Sequence, residues 1–224
     1  MKKYEDLRYL EEGLYDPNIF KAFFLAGGPG SGKTFVTKGS FGGTGLRMIN
    51  SDSAFENALR KHGLSLKMPE DEAEARDILR ARAKGTTDKT MDLSIKGRLG
   101  MVIDGTGRDY DKIARQKAIL DQLGYDCYMI FVNTSLEVAL ERNKMRPRQV
   151  PEKIVIDSWN QVQKNIGKFQ RFFGTKNFVI VDNNEVGDDV FDMVGKQVRK
   201  LLRKKVDNHI AKAWIESELR KKAR

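Results

Sequence analysis

Residues 27–34 read GGPGSGKT and follow directly on the apolar run AFFLA at 22–26. The stretch satisfies the pattern GxxxxGK[ST], which predicts a phosphate-binding loop between a strand and a helix. Glycines are needed there because several backbone N–H groups must turn inward around one polyphosphate, in conformations that a side chain would obstruct. The helix that begins after such a loop adds its free N–H groups and the positive end of its dipole.

Two residues of the loop have expected chemical roles. Lys33 is expected to reach the β and γ phosphates of ATP or another nucleoside triphosphate, and the Thr34 hydroxyl is expected to hold Mg²⁺. The other positions expected to bind the nucleotide are Gly28, Pro29, Gly30, Ser31 and Gly32. The sequence therefore predicts a nucleotide site whose metal arrives with the nucleotide.

Apolar runs with strand character alternate along the chain with mostly helical patterns, which indicates a parallel sheet flanked by helices. The runs lie at 22–26, 46–49, 101–103, 128–132 and 178–181. We predict an α/β fold of the P-loop NTPase class with five parallel strands, as one domain over 1–206. Helices are expected at 6–14, 54–61 and 70–84, among others, and a flexible glycine-rich connection is expected at 39–45.

The composition is that of a soluble globular protein, with 40% hydrophobic and 32% charged residues. No stretch approaches the ~18 apolar residues of a membrane span, and the N-terminal residues lack the apolar run of a signal peptide. We therefore expect a cytoplasmic protein with no membrane partner. Cys127 lies in an apolar run and is expected to be a buried, inert thiol. His62 and His209 are far apart and have no Cys partners, so a metal cluster has little support.

Basic charge is concentrated at the end of the chain. Residues 196–224 hold eleven Lys and Arg against three Asp and Glu, a net +8 of the chain's +10. We treat 207–224 as a basic C-terminal tail. One interpretation is a solvated helix face, because Val194, Val198 and Leu201 fall at helical spacing. The other is a surface that holds the phosphates of a nucleic acid near the site.

An acid follows the second apolar run, where the chain reads INSD at 49–52. In open α/β sheets ligands bind at the carboxyl ends of the strands, so Asp52 is expected to face the same crevice as Lys33. A carboxylate there can take the proton of an attacking hydroxyl and help to order water around Mg²⁺. The alternative is that Asp52, Ser51 or Ser53 caps the helix that follows.

A second acid follows the third apolar run. The residues after that run are Asp104, Gly105, Thr106, Gly107 and Arg108. An acid at a strand end fits a Walker B position, although such a string is common. The two glycines free the backbone for a tight turn, while Asp104, Thr106 and Arg108 supply an acceptor, a hydroxyl and a cation for a bound substrate. An ordinary strand-to-helix turn is the alternative.

An arginine-rich segment lies farther along the chain, which reads ERNKMRPR at 141–148. Arg142 and Arg146 are four residues apart and share one helix face, while Pro147 ends the helix and leaves Arg148 on a mobile loop. Three guanidinium groups there could neutralise charge on a transferring phosphoryl group. A solvated basic turn is the alternative.

Together these segments resemble, over roughly residues 20–185, the P-loop kinases that include the zeta toxins and the kinase domain of phage polynucleotide kinases. The turn at 103–108 is similar to the acid-Gly-Thr-x-Arg substrate motif of zeta toxins, with Asp104 where those commonly carry Glu. The segment 142–146, with the Val-Pro pair at 150–151, is similar to the arginine-bearing lid of polynucleotide kinases.

The resemblance implies roles for single residues. Asp52 stands where both groups place the catalytic base. Arg146 would be the lid arginine nearest to the transferred phosphate, and Arg142 and Arg148 would support it at the nucleotide.

The resemblance also implies a lid at 141–150 and an acceptor-shaping helical insertion at 63–98. The activity that it implies is a Mg²⁺-dependent transfer of the γ-phosphate of ATP to a hydroxyl of a nucleic acid or nucleotide. That hydroxyl is a 5′ end or lies on a modified base in phage-type DNA. Two alternatives stay open: a kinase that acts on a nucleotide sugar, as in zeta toxins, and a nucleotide-dependent nucleic-acid binding module without kinase activity.

Overall fold

Five parallel strands form the single sheet of the computed structural model, which describes residue 14 and residues 16–185 and 189–222. The strands are β1 (Lys21–Ala26), β2 (Arg47–Ile49), β3 (Met101–Asp104), β4 (Asp126–Asn133) and β5 (Phe178–Asp182). Their order across the sheet is β2-β3-β1-β4-β5, so β1 lies at the centre, between β3 and β4. The predicted five-stranded parallel sheet is confirmed.

Eight α-helices connect or follow these strands in the described residues. They are α1 (Lys33–Phe41), α2 (Ser51–Lys61), α3 (Ala73–Lys96), α4 (Tyr110–Gln122), α5 (Leu136–Lys144), α6 (Glu152–Phe173), α7 (Asp189–Leu202) and α8 (His209–Lys222). Short 3₁₀ turns lie at Glu70–Glu72 and Thr175–Asn177. No helix in the part of the chain that the structure describes is long and apolar enough to cross a lipid bilayer.

The sheet is buried on both faces, as expected where crossover helices cover a parallel sheet. Side chains alternate along β1, so that Phe24 packs with α4, α6 and α8 on one face, while Phe23 packs with α1 and α7 on the other. Cys127 of β4 is buried in the first of these layers, and burial raises the pKa of its thiol well above the ordinary value. The expected buried thiol is confirmed.

The helices α1 and α2 differ from their expected bounds. α1 continues to Phe41, so the glycine-rich stretch 39–45 is partly helical rather than a flexible connection. α2 begins at Ser51 rather than at residue 54, which puts Asp52 in its first turn. The helix expected at 6–14 lies outside the described residues apart from Leu14.

The helix expected at 70–84 is α3, which continues past Gly85 to Lys96. Its second half holds β-branched and hydroxyl residues that have low helix propensity. These hydroxyls donate to the carbonyl four residues earlier, as Thr87 does to Ala83 and Ser94 to Thr90, so the helix itself satisfies them. α3 packs on α2 through a small separate apolar cluster. The cluster consists of Phe55, Leu59, Leu79 and Ala83.

Within 207–224 the chain forms α8, a helix that the sequence analysis did not predict. Its Ala211 is buried, and the Trp214 ring lies 5.5 Å from the ring of Phe20. Phe20 immediately precedes β1, so α8 packs at the amino ends of the strands. β1 has six residues, and at ~3.3 Å per residue its two ends are about 17 Å apart. α8 is therefore separated by the length of the sheet from the edge that carries the phosphate-binding loop.

Candidate active site

The loop at 27–34 connects β1 to α1 and carries backbone conformations that glycine permits. Gly30 has φ +80° and Gly32 has φ +84°. A Cβ atom on Gly30 would lie 2.1 Å from the carbonyl oxygen of Ala139, a distance that no packed atom tolerates. Gly30 is thus required by the close approach of α5 as well as by the turn itself.

Three neighbouring elements hold this loop in place. The Gly27 N–H donates to the Thr106 carbonyl, 2.9 Å away in the turn after β3. Asn183, at the end of β5, donates through Nδ2 to the Ser31 carbonyl at 2.8 Å. Trp159 of α6 lies against the loop at Gly28, where an added Cβ atom would be 3.8 Å from the Trp159 Cα. The phosphate-binding loop is therefore preorganised by the carboxyl ends of the sheet.

Lys33 folds back onto the loop. Its Nζ donates to the carbonyl of Gly27 at 2.5 Å and to that of Gly28 at 3.3 Å. Burial lowers the pKa of Lys33, an effect opposed by the negative charge of Asp104 and, to a smaller extent, of Asp52. The positive charge of Arg146 adds to the lowering. Asp104, Asp52 and Arg146 therefore each lie close enough to Lys33 for their charges to act on it.

Asp104 lies at the end of β3 with one carboxylate oxygen paired and the other unpaired. Oδ2 accepts a hydrogen bond from Asn50 Nδ2 at 2.7 Å, while Oδ1 is buried and has no partner among the described residues. Burial raises the pKa of Asp104; Lys33 opposes this effect and the charge of Asp52 adds to it. Buried carboxylates without full compensation are typical of functional sites rather than of stabilising contacts.

Asp52 lies in the first turn of α2, and its side chain is 57% exposed. The cap of this helix is Asn50, whose side chain accepts from the Asp52 N–H at 2.6 Å. The alternative that Asp52, Ser51 or Ser53 serves as the cap is therefore wrong. Because Asn50 already satisfies the helix end, the Asp52 carboxylate is available for other contacts.

The three arginines of the segment 141–148 have different partners. Arg148 Nη2 lies 3.5 Å from Asp52 Oδ2, and the arginine side chain is only 11% exposed. Arg142 donates to the Asn183 carbonyl at 2.6 Å and to the Asn184 carbonyl at 3.3 Å, which holds it beside the end of β5. Arg146 acts on Lys33 through its charge, as described above.

The loop around Arg148, which was expected to be mobile, is held by two hydrogen bonds of the Asn143 side chain. Asn143 Nδ2 donates to the Val150 carbonyl at 2.7 Å, and the Val150 N–H donates back to Asn143 Oδ1 at 3.1 Å. Asn143 is buried, so these two hydrogen bonds are shielded from water. They join the end of α5 to the start of α6 and hold the arginines between them.

A side chain of α6 holds the turn after β3 through hydrogen bonds to its backbone. Asn165 Nδ2 donates to the Gly107 carbonyl at 3.0 Å and to the Arg108 carbonyl at 2.9 Å. Thr106 Oγ1 accepts from the Arg108 N–H at 3.3 Å. The side chains of Thr106 and Arg108 are exposed, and the Arg108 guanidinium forms no hydrogen bond or ion pair with the other predicted site residues that the structure describes.

Four polar residues of this site were missed by the sequence analysis. They are Asn50, Asn143, Asn165 and Asn183. Asn50 and Asn183 directly follow strands, so the rule that singled out Asp52 and Asp104 could have found them. Asn143 and Asn165 lie inside helical patterns, where nothing in the sequence distinguishes a structural amide from a solvated one.

The oxygen donors of the site suit a hard cation such as Mg²⁺, which prefers carboxylate, hydroxyl and phosphate oxygens. The Thr34 hydroxyl is exposed at the start of α1, and the unpaired Oδ1 of Asp104 is a further oxygen donor in this region. Among the described residues there is no group of three or more His, Cys, Asp or Glu side chains arranged to hold a metal.

Solved structures with the same fold are enzymes and toxins of the P-loop class. A putative kinase from Chloroflexus aurantiacus is 16% identical, with a TM-score of 0.56 over 80% of this chain and 97% of that chain. A gluconokinase from Sinorhizobium meliloti is 15% identical, with a TM-score of 0.51 over 83% and 95%. The PezAT chromosomal toxin-antitoxin system of Streptococcus pneumoniae includes a chain that is 20% identical, with a TM-score of 0.53 over 88% and 89%.

No curated protein matches this chain in sequence. At the identities above, the structural likeness establishes the fold, an α/β P-loop kinase fold, and not the acceptor. The family model named Zeta toxin matches residues 16–190, which is well over half of the chain and includes the loop, both acids and the arginine segment. The chain therefore belongs to the zeta toxin family of P-loop kinases.

Proposed function

We propose that the protein is a Mg²⁺-dependent kinase that transfers the γ-phosphate of ATP to a hydroxyl of a nucleic acid or nucleotide. The acceptor would be a 5′ end or a hydroxyl on a modified DNA base, as in phage-type DNA. The observation that carries the proposal is the position of Asp52, beside the phosphate-binding loop and 3.5 Å from Arg148. A carboxylate, a loop lysine and arginines that share one crevice suit phosphoryl transfer to an alcohol.

In the proposed reaction, the acceptor oxygen attacks the γ phosphorus as its proton passes to the Asp52 carboxylate. The new O–P bond forms while the bond from the γ phosphorus to the bridging oxygen breaks, and ADP leaves with that electron pair. Lys33 and Arg146 would stabilise the charge that develops on the phosphate oxygens, and the influence of the Arg146 charge on Lys33 supports this shared role. The backbone N–H groups of the loop bind the remaining phosphates.

Thr34, together with the acids Asp52 and Asp104, would hold the Mg²⁺ ion, which supplies charge neutralisation at the phosphates when bound. Asp104 Oδ1 has no hydrogen-bond partner among the described residues. This supports a role for that oxygen in binding the cation or a water molecule. Thr106 and Arg108, exposed on the turn after β3, would contact the acceptor.

Two observations favour an acceptor that is or contains a nucleotide phosphate chain. Arg108 is an exposed cation beside the carboxyl edge of the sheet, where it can contact acceptor phosphates. Asp104 is one methylene shorter than the acid common in zeta toxins, and its Oδ2 is engaged by Asn50. A short acid held in this way is less able to reach a sugar acceptor.

A nucleotide-sugar kinase is the second candidate, and the family match favours it. The structural neighbour from the PezAT toxin-antitoxin system raises the question of a protein partner for this chain. If this chain acts as a toxin, a small protein that blocks the crevice would be its partner. Co-expression with the product of the adjacent gene, followed by co-purification, would identify such a partner.

Incubation with γ-labelled ATP and a panel of acceptors tests the proposal. The panel contains 5′-hydroxyl DNA and RNA, DNA with hydroxymethylated bases, nucleosides, and nucleotide sugars. Label in an oligonucleotide or nucleotide supports the proposal, and label in a nucleotide sugar alone supports the second candidate. Tight binding of ATP and nucleic acid without label in any acceptor would support a binding module that lacks kinase activity.

A further inference from the structure

We propose that Asn50 is a positioning residue that fixes the catalytic base Asp52 relative to Asp104 through the two ends of one side-chain amide. This role rests on the proposed kinase function. Asn50 would touch neither nucleotide nor acceptor, and it would act only through the two acids.

The hydrogen bonds of Asn50 define the orientation of its amide. Oδ1 accepts from the Asp52 N–H at 2.6 Å, and Nδ2 donates to Asp104 Oδ2 at 2.7 Å. In the reversed orientation, Nδ2 would face the Asp52 N–H and Oδ1 would face the Asp104 carboxylate, and both contacts would be repulsive. One orientation therefore satisfies both partners, and it connects two acids that lie far apart in the sequence.

The register of the sheet explains how this bridge forms. Ile49 of β2 pairs with Ile103 of β3, so the next residues, Asn50 and Asp104, leave neighbouring strands side by side. Asn50 has extended backbone angles, φ −144° and ψ 120°, and the chain enters α2 directly after it. The side chain thus spans from the end of one strand to the end of its neighbour while it caps the helix that bears the base.

The bridge has an electrostatic purpose as well as a geometric one. The two acids are near enough for the charge of Asp52 to oppose ionisation of Asp104. Asn50 donates to Asp104, the more buried of the two acids, whose other oxygen has no partner among the described residues. Without that donor, neither oxygen of the Asp104 carboxylate would have a hydrogen-bond partner among the described residues, and the carboxylate would be free to turn toward Lys33.

Variants of Asn50 can separate the bridge from the cap. Asn50→Ser keeps an oxygen that can accept from the Asp52 N–H, but it is too short to reach Asp104. Asn50→Asp keeps the length and the cap acceptor, and it replaces the donor with a repelling carboxylate. Asn208→Ala is the matched control, because Asn208 accepts from the Ile210 N–H at 2.9 Å at the start of α8, at the opposite end of the sheet.

We expect Asn50→Ser and Asn50→Asp to lower kcat by about tenfold to a hundredfold, the usual effect of losing a group that orients a functional side chain. The KM for ATP should stay near the parent value, since neither variant alters the loop. Asn208→Ala should lower the melting temperature by about 2–4 °C, as expected for a lost cap in a chain of this size, with parent kcat. Parent kcat in Asn50→Ser, or a loss of kcat only in step with melting temperature, would overturn the proposal.

Crystal structures of the parent and of Asn50→Ser give a readout that does not depend on activity. The separation of the Asp52 and Asp104 carboxylates should change by about 1 Å or more, a displacement large enough to impair transfer. An unchanged separation would overturn the positioning role even if the acceptor panel showed no transfer at all. Failure of the panel with an altered separation would reject the kinase function and leave the bridge intact.

Discussion

Arg148 and Asp52 form an ion pair at 3.5 Å in which the arginine is largely buried, at 11% exposure, and the acid is half exposed, at 57%. The arginine segment 141–148 therefore contacts the candidate base directly. An ion pair with one exposed partner contributes at most about 1 kcal/mol. Phosphate groups with several negative charges can displace Asp52 from Arg148 without a large energetic penalty.

Replacement of Asp52 by Asn tests its assignment as the base. We expect kcat to fall by about 10² to 10⁴, the range for a lost general base, while the dissociation constant for ATP changes little. The melting temperature should stay at the parent value, because Asn50 rather than Asp52 caps α2. Ser53→Ala, one residue along the same helix turn, is the control. Full turnover by Asp52→Asn would move the search for the base to another residue.

Variants of Arg146 test whether this arginine acts on the transferred phosphate. Arg146→Ala should act mainly on kcat, because a cation that acts on the phosphate in transfer stabilises the transition state more than the bound substrate. Arg146→Lys should rescue poorly, since an ammonium group lacks the planar fork that bridges two phosphate oxygens. Lys144→Ala removes an exposed cation from the same segment and should be neutral. Equal steady-state rates for Arg146→Lys and the parent would make Arg146 part of a general basic surface.

Asp104→Asn should stabilise the protein while it impairs catalysis. The pKa of Asp104 is raised in the fold, so its contribution to stability is fully present below its unfolded pKa and is lost as pH rises through the folded value. The asparagine carries no charge to desolvate and still accepts from Asn50. The melting temperature of Asp104→Asn minus that of the parent should therefore be near zero at about pH 4 and positive at about pH 7. A difference that is constant with pH would contradict the raised pKa.

Basic charge at the far end of the sheet should matter only for long acceptors. Truncation of 207–224 is a poor test, because Trp214 and Ala211 pack into the core and their loss would destabilise the fold. The substitutions Lys204→Ser, Lys205→Ser and Lys222→Ser remove three exposed charges instead.

For these substitutions we expect an unchanged KM for an acceptor of about four nucleotides and a raised KM for one of about twenty, which at ~3.4 Å per nucleotide extends about 70 Å. The slope of log affinity against log salt should become shallower by about 0.7 for each phosphate that the protein no longer neutralises. An unchanged slope with the longer acceptor would show that this charge is a solvated helix face.

Much of the candidate site could be predicted from the sequence because its signals are local. The phosphate-binding loop is a contiguous motif, and Asp52 and Asp104 each follow an apolar run within a few residues. Interactions that depend on strand register could not be predicted in this way. Asn50 becomes significant only once Ile49 and Ile103 are known to pair.

The helix α8 and the end of α3 were not predicted, for a different physical reason. α8 escaped prediction because its many cations conceal the few apolar residues, such as Trp214 and Ile215, that pack against the core. α3 was expected to end near Gly85 because its propensity weakens there. Packing of its later residues Met91 and Ile95 on the main core stabilises the helix, which local propensity does not report.

The reciprocal hydrogen bonds between Asn143 and Val150 make the arginine segment a closed ring rather than a free flap. Arg146 and Arg148 lie between the two residues that these hydrogen bonds join. We therefore expect the two arginines to move together, as a unit with the end of α5. α5 also packs tightly against the phosphate-binding loop, because the Ala139 carbonyl lies where a Cβ atom on Gly30 would be. We therefore expect nucleotide binding in the loop to be coupled to the positions of Arg146 and Arg148.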